Sequence, residues 1–201
     1  MWFQDLELES ENIKLIPLAL EHSNPLVEAA TDGELWNLWF TSVPNSENIN
    51  EYISSALEQK SKGLALPFVV VDKSNGKIIG STRFCNADPI NQRVEIGYTW
   101  YSQSYQKTSY NTECKLLLLT HAFEKLNSIA VEFRTSWHNH ASRAAIARLG
   151  AKQDGVLRNH QKMKSGGYRD TVVFSIINVE WLSVKTHLKF KQSNYKGDTH
   201  P

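Results

Sequence analysis

Three short segments of this chain combine residue types that could do chemistry. Residues 101–112 read as a strand end, a proline-free polar loop (Gln106, Lys107, Thr108, Ser109, Tyr110, Asn111) and a helix start. The first amide hydrogens of a helix lack intrahelical partners, and the dipole adds about half a positive charge, so such a junction can hold phosphate. Lys107 and Lys115 could assist; Ser109 could equally be a plain helix cap. The second segment, Trp137-His138-Asn139-His140-Ala141-Ser142-Arg143, leaves one strand and enters the next helix. Asn139 can donate and accept, Ser142 can pass a proton, and Arg143 offers a fixed fork of donors for phosphate. Asn139 or His140 could instead cap the helix, with Arg143 a solvated charge. The third candidate is Glu95, with Gly97 and Thr99 as small neighbours on its expected strand face. It could take a proton from a substrate lodged beside it, or pair across the sheet with Arg83 or Arg93. His138 and His160 titrate in the range a base needs and stand in reserve.

These segments need elements to position them. Residues 13–20 read as a short apolar strand and 21–32 as a helix with Pro25 in its early part. Asn45-Ser46-Glu47 can cap a helix that runs to about Lys62. Strands over 66–72 and 78–86 flank Ser74-Asn75-Gly76, whose Asn-Gly pair supplies the positive φ angles of a tight hairpin turn. Residues 93–100 alternate, with Val94, Ile96, Tyr98 and Trp100 on one face and Glu95, Gly97 and Thr99 on the other. Leu116, Leu119, Phe123 and Leu126 recur at helical spacing over 112–126. A strand over 130–137, a helix over 142–149 ended by Gly150, and two strands around Ser165-Gly166-Gly167 complete the pattern. This order predicts an α+β fold: one domain over 1–188, a mixed and mostly antiparallel sheet flanked by helices, then a polar tail over 189–201.

Of the 201 residues, 41% are hydrophobic and 21% charged, which excludes a disordered, collagenous or disulfide-dense chain. Twenty-two Lys plus Arg against 21 Asp plus Glu leave a net charge of +1. No global field draws such a chain to nucleic acid or anionic lipid, so neither is an expected partner and any bound anion must be held locally. Cys85 and Cys114 lie outside any C-x-x-C spacing; no metal and no disulfide framework are expected, and a reducing cytoplasm fits. The opening residues lack the basic start and apolar run of a signal peptide, and the longest apolar stretch, 63–71, is too short to span a bilayer.

Read together, Val94-Glu95-Ile96-Gly97-Tyr98, residues 105–113, Asn139 to Ser142 with Leu149-Gly150-Ala151, and residues 170–174 closely resemble the GNAT superfamily of acetyl-CoA-dependent N-acetyltransferases. Within it the chain looks most like the ribosomal-protein N-terminal acetyltransferase (RimJ/RimL-like) branch. The likeness covers about residues 10 to 182 and is strongest over 134–151. It implies a splayed strand pair forming a V-shaped acyl-CoA cleft, acetyl-CoA as co-substrate, and direct acetyl transfer to the primary amine of a small molecule or peptide. The family's loop pattern, Arg/Gln-x-x-Gly-x-Gly/Ala, puts Gln106, Ser109 and Asn111 at its fixed places. Only the first is kept, so glycine's freedom of φ and close backbone approach are lost at the others.

The resemblance assigns the amides of 106–111 to the pyrophosphate, and the backbone of Thr99, Trp100 and Tyr101 to the pantetheine arm and acetyl carbonyl. Asn139 would touch the pantetheine and Arg143 sit beside the cofactor. Glu95 would be the base. Ser142 would lie near the thioester sulfur, and it or an ordered water would replace a tyrosine many relatives carry where Ile146 stands here. Trp36, Trp39, Arg83 and His138 are expected along the acceptor side, although two tryptophans three apart could equally be core. A non-catalytic acyl-CoA-binding module on the same fold is the alternative, argued by Ser109, Asn111 and Ile146. An exposed strand edge could pair two copies as a homodimer.

Overall fold

The apolar run at 66–72 suits a strand covered on both faces, and in the computed structural model it lies inside a sheet with helices on either side. Residues 2–163 and 166–194 are described. The strands are β1 (Leu8–Glu9), β2 (Ile13–Pro17), β3 (Leu66–Asp72), β4 (Ile78–Asp88), β5 (Arg93–Tyr101), β6 (Ala130–Ser136), β7 (Lys152–Lys162) and β8 (Tyr168–Ile177), in spatial order 1-2-3-4-5-6-8-7. Among the described residues only β5 and β6 pair parallel; the other neighbours are antiparallel. The helices are α1 (Ser23–Thr31), α2 (Ile49–Ser61), α3 (Tyr110–Glu124), α4 (His140–Arg148) and α5 (Trp181–Ser193).

Each face of the sheet has its own core. Leu26 and Ala30 of α1 and Ile53 and Ala56 of α2 cover Val69 and Trp100 on one side. On the other, Leu118 and Leu119 of α3, Ile146 of α4 and Val184 of α5 cover Phe68, Phe84, Val94 and Ile96. The turn joining β3 to β4 has positive φ at Gly76 alone, not at both residues of the Asn-Gly pair; Asp72 braces it by accepting from Ser74 N and Asn75 Nδ2, both at 2.9 Å. Asn45 does organise the approach to α2, its Oδ1 accepting from Glu47 N and Asn48 N, while the helix itself starts at Ile49.

Two differences from the expected layout matter. α5 was not expected: Trp181, Val184 and Leu188 bury one face of it, and the Trp181 ring stacks on Phe123 at 5.1 Å. The helix crosses residue 188 and ends at Ser193; residues 195–201, and Ser165 of the last turn, lie outside the described residues. The second difference is in β5. Ser81 faces Trp100 and Arg83 faces Gly97, so one residue of β4 opposes two of β5, Tyr98 and Thr99. This is a β-bulge, with Tyr98 at φ 51. It reverses the facing of everything beyond it: Val94 and Ile96 point to the α3 side, as does Tyr101, whereas Trp100 joins the α1–α2 core. The simple alternation expected over 93–100 therefore stops at Tyr98.

Candidate active site

A gap opens in the sheet because β5 and β6 pair over three residues only, Arg93 with Ala130, Val94 with Val131 and Glu95 with Glu132. Beyond Glu95, β6 stays with β8 as far as Ser136 while β5 follows β4 through the bulge to Tyr101. The lips of the gap are thus Gly97 to Tyr101 on one side and Phe133 to Ser136 on the other.

α3 begins where β5 ends. A short turn, Gln103–Tyr105, leads into Gln106, whose Nε2 donates to Tyr101 O at 3.0 Å. Lys107 takes the left-handed conformation, φ 62. Thr108 turns its hydroxyl back onto Tyr105 O at 2.6 Å, and Tyr110 packs edge-on against Tyr105. Ser109 stands at the N-cap with φ −70 and makes no side-chain cap bond, and Asn111 lies in the first helical turn. Glycine's φ range is therefore needed at neither Ser109 nor Asn111; the left-handed residue is Lys107. What their Cβ atoms can cost is close approach only. Lys115 does not reach the outer surface of this loop. It is buried, and its Nζ donates to Thr99 Oγ1 at 2.5 Å, which in turn shares a hydrogen bond with Thr82 Oγ1 at 2.8 Å.

The start of α4 is organised by Asn139, whose Oδ1 accepts from Ser142 N at 3.0 Å. The capping role weighed for Asn139 is real, and it employs Oδ1 rather than the Nδ2 donor. Ser142 is half-buried in this first turn. Arg143 is not simply solvated: its Cζ lies 4.3 Å from the Trp137 ring centroid and Nη1 donates to Trp137 O at 3.2 Å. Amides, hydroxyls and one guanidinium thus flank the gap at two helix starts, a donor set that suits a diphosphate ester.

Glu95 lies at the root of the gap, 8% exposed. It shares its face with Gly97 but not with Thr99, which the bulge turns to the α3 side. Neither Arg83 nor Arg93 pairs with it. Its Oε2 accepts from Asn86 Nδ2 at 2.7 Å and lies 3.5 Å from Arg134 Nε, while Arg93 and Arg134 both bond Glu132. Burial pushes the Glu95 carboxyl above the usual carboxylate range, against the opposing pull of Asn86 and Arg134. Burial works the same way on Glu132, but there the hydrogen bonds from Arg93 and Arg134 outweigh it and hold the group below that range. One of two neighbouring carboxylates is thereby kept firmly charged and the other poised to take a proton.

The acceptor-side candidates separate. Trp39 is 60% exposed, with its ring 5.4 Å from that of His138. Trp36 belongs to the short turn Leu35–Asn37 and packs on the α1–α2 core, so the two tryptophans share no helical face. Arg83 is buried beneath Tyr98. His160 lies in the β7–β8 hairpin, against Thr171. The Glu95 partners Asn86 and Arg134, and the Tyr52 and Tyr98 rings around Arg83, were missed in the sequence, because bulges and the parallel pairing that bring them together leave no local pattern.

Residues 12–152 match the acetyltransferase (GNAT) domain family, and the chain belongs to it. It is 30% identical over 107 residues to "Putative ribosomal N-acetyltransferase YdaF" of Bacillus subtilis (strain 168), a match spanning 53% of this chain and 57% of that protein. It is 22% identical over 174 residues to "Ribosomal-protein-serine acetyltransferase" of Escherichia coli (strain K12), spanning 84% and 94%. A crystal structure of a GCN5-related N-acetyltransferase from Brucella melitensis shares the fold with a TM-score of 0.88 at 25% identity, over 99% of this chain and 90% of that one. The chain is a GNAT-family acetyltransferase, which favours catalysis over a binding module that has lost turnover. Among the described residues, no helix is long and apolar enough to cross a membrane, and no group of three His, Cys, Asp or Glu side chains could hold a metal ion.

Proposed function

We propose that this protein moves the acetyl group of acetyl-CoA directly to a primary amine, on a peptide N-terminus or a small molecule. The observation that carries the proposal is the parting of β5 from β6 just beyond Glu95, with the first turns of α3 and α4 at the lips of the opening. Acetyl-CoA supplies an activated thioester when bound there. The amides of 106–111 and the Arg143 guanidinium hold its diphosphate, and the Asn139 Nδ2 donor and the backbone of Thr99, Trp100 and Tyr101 align its arm. Glu95 takes the proton of the incoming ammonium, directly or through water, because only a neutral amine has a lone pair to attack with. Main-chain donors near Trp100 stabilise the developing oxyanion, and as the C–S bond breaks the Ser142 hydroxyl relays the proton that the attacking nitrogen sheds to the departing sulfur. The names of the relatives support a protein amine as acceptor. The free, buried thiols of Cys85 and Cys114 support a reducing, cytoplasmic setting.

The test is Glu95→Gln, assayed by thiol release over an amine panel. Its kcat/KM should fall by about 10²-fold or more. The acid limb of the wild-type profile should lie above the usual carboxylate range, since protonation of a carboxyl raised by burial removes the base as pH falls, and it should vanish in the variant. An unchanged rate with an unchanged acid limb refutes Glu95 as base. Binding of acetyl-CoA without thiol release on every amine refutes the transferase reading.

A further inference from the structure

On the α1–α2 face of the sheet, a cavity of about 210 Å³ is walled by Tyr52 and Gln59 of α2, Arg83, Cys85 and Asn86 of β4, and Tyr98 of β5. Arg83 is 4% exposed, and its Nε and Nη2 meet no acceptor among the described residues. Its Cζ lies 3.9 Å from the Tyr98 ring centroid and 5.0 Å from that of Tyr52. Aromatic faces attract a cation but do not satisfy a fork of N–H donors, and buried donors left open are costly. Nε and Nη2 point the same way and form the side-on pair that grips a carboxylate. Arg93 and Arg134 both turn this pair on Glu132. In Arg83 the pair is unengaged and shut off from solvent beneath the Tyr98 ring.

The cavity adjoins the proposed base. Cys85 faces Glu95 across the sheet and Arg83 faces Gly97. Arg83 and Glu95 are thus one pleat apart on the same face, with backbones about 7 Å from each other. Asn86 lines the cavity and holds Glu95 at 2.7 Å. A Cβ on Gly97 would come within 3.1 Å of Glu95 Oε1 and 3.2 Å of Cys85 Sγ; its absence leaves both side chains room on this face.

Resting on the transferase reading above, we propose that Arg83 anchors a carboxylate of the acceptor: the amine that this protein acetylates carries an acid group a few bonds from its nitrogen. Nε and Nη2 grip the acid while Glu95 faces the amine. Tyr98, half exposed on the bulge, is the cover that moves aside to admit it. The volume is that of about seven waters at roughly 30 Å³ each, room for one residue-sized group. The acid can be the free α-carboxylate of an amino acid, or an Asp or Glu side chain next to a peptide N-terminus.

The experiment sets matched acceptors against each other: amino acids against their amides, and Ser-Asp-Ala-amide against Ser-Asn-Ala-amide, with wild type, Arg83→Gln and Arg83→Lys. Wild type should favour the acid of a pair by roughly 10²-fold in kcat/KM, because a buried donor fork left unpaired penalises the analogue that lacks its partner. Arg83→Gln should abolish most of that preference, and Arg83→Lys, which keeps charge but not the fork, should restore only part. The pair that shows the preference identifies the source of the acid. Calorimetry of N-acetylserine and N-acetylserinamide with the CoA-loaded protein reads the same site without turnover: the acid should bind wild type more tightly, and Arg83→Gln should erase the difference. Acetylation of acids and amides alike, with Arg83→Gln unchanged, overturns the proposal. Should no amine release thiol, the transferase reading falls, and the calorimetry still decides for or against Arg83.

Discussion

Lys115 offers a quantitative test of the packing beside the gap. It is 5% exposed, and burial lowers its pKa from the ordinary 10.5 to about 8. A lysine with those two values costs the folded state about 3 kcal/mol while it is protonated in both folded and unfolded chains. The penalty is present in full below pH 8. It fades as pH rises from 8 towards 10.5, where the unfolded chain still holds a proton that the folded one has released. Lys115→Met keeps the length of the stem and removes the charge. It also deprives Thr99 of a donor, although Thr99 keeps its bond to Thr82, a loss of about 1 kcal/mol. The variant should therefore be more stable than wild type by about 2 kcal/mol at pH 7, and by pH 10.5 it should be weaker by up to about 1 kcal/mol, because the lost hydrogen bond remains after the charge penalty has faded. Urea denaturation of both proteins at pH 7, 8.5 and 10.5, followed by tryptophan fluorescence, measures the difference. A variant weaker than wild type at pH 7, or a difference independent of pH, would refute the account of Lys115 as a buried, destabilising charge.

Two further substitutions probe the frame around the site. A Cβ at Gly80 would lie 2.1 Å from Trp100 O and 3.0 Å from Tyr101 Cα, both main-chain atoms of the neighbouring strand. Gly80→Ala should force β4 and β5 apart at the bulge, costing about 3 kcal/mol and lowering Tm by roughly 6 to 12 °C in calorimetry. Glu113 of α3 is buried and accepts from Ser10 Oγ, Asn12 N at 2.9 Å and Asn12 Nδ2 at 3.1 Å. Glu113→Ala removes the common acceptor of these three bonds and should cost about 3 kcal/mol, roughly 1 kcal/mol for each, in urea denaturation, with early loss of hydrogen-exchange protection at the Asn12 amide.

Much of the scaffold is legible in the sequence because period and punctuation coincide. The apolar run of β3, Gly76 in the hairpin and Gly150, at φ 98 after α4, mark their elements where patterning alone would put them. α5 carries the same helical spacing at Trp181, Val184 and Leu188, but the polar run around and after it masks the pattern. β1, two residues long, has no pattern to read. The loop at 106–111, Glu95 and the segment 137–143 do converge on one opening, since each lies at the end or root of a strand bordering it. Which face a side chain takes beyond Tyr98 was not legible: a single unpaired residue reverses the alternation, and nothing in the local composition announces it. For the same reason the neighbours of Glu95 were misjudged. Arg134 reaches it from a parallel strand whose register is fixed by tertiary packing, and Asn86 from a residue at φ 49 where β4 itself departs from regular pairing.

The odd residue count in β5 also bears on how this scaffold tolerates genetic change. Deleting one codon between Gly97 and Trp100 would make the spans opposite Thr82 equal in length and turn the bulge into an ordinary pair, with the strand end left facing as before. Trp100 would still join the α1–α2 core and Tyr101 the other, because each keeps its partner on β4, Ser81 and Gly80. A deletion inside a regular strand turns every later side chain to the wrong face, but here the loss would be confined to the residue removed.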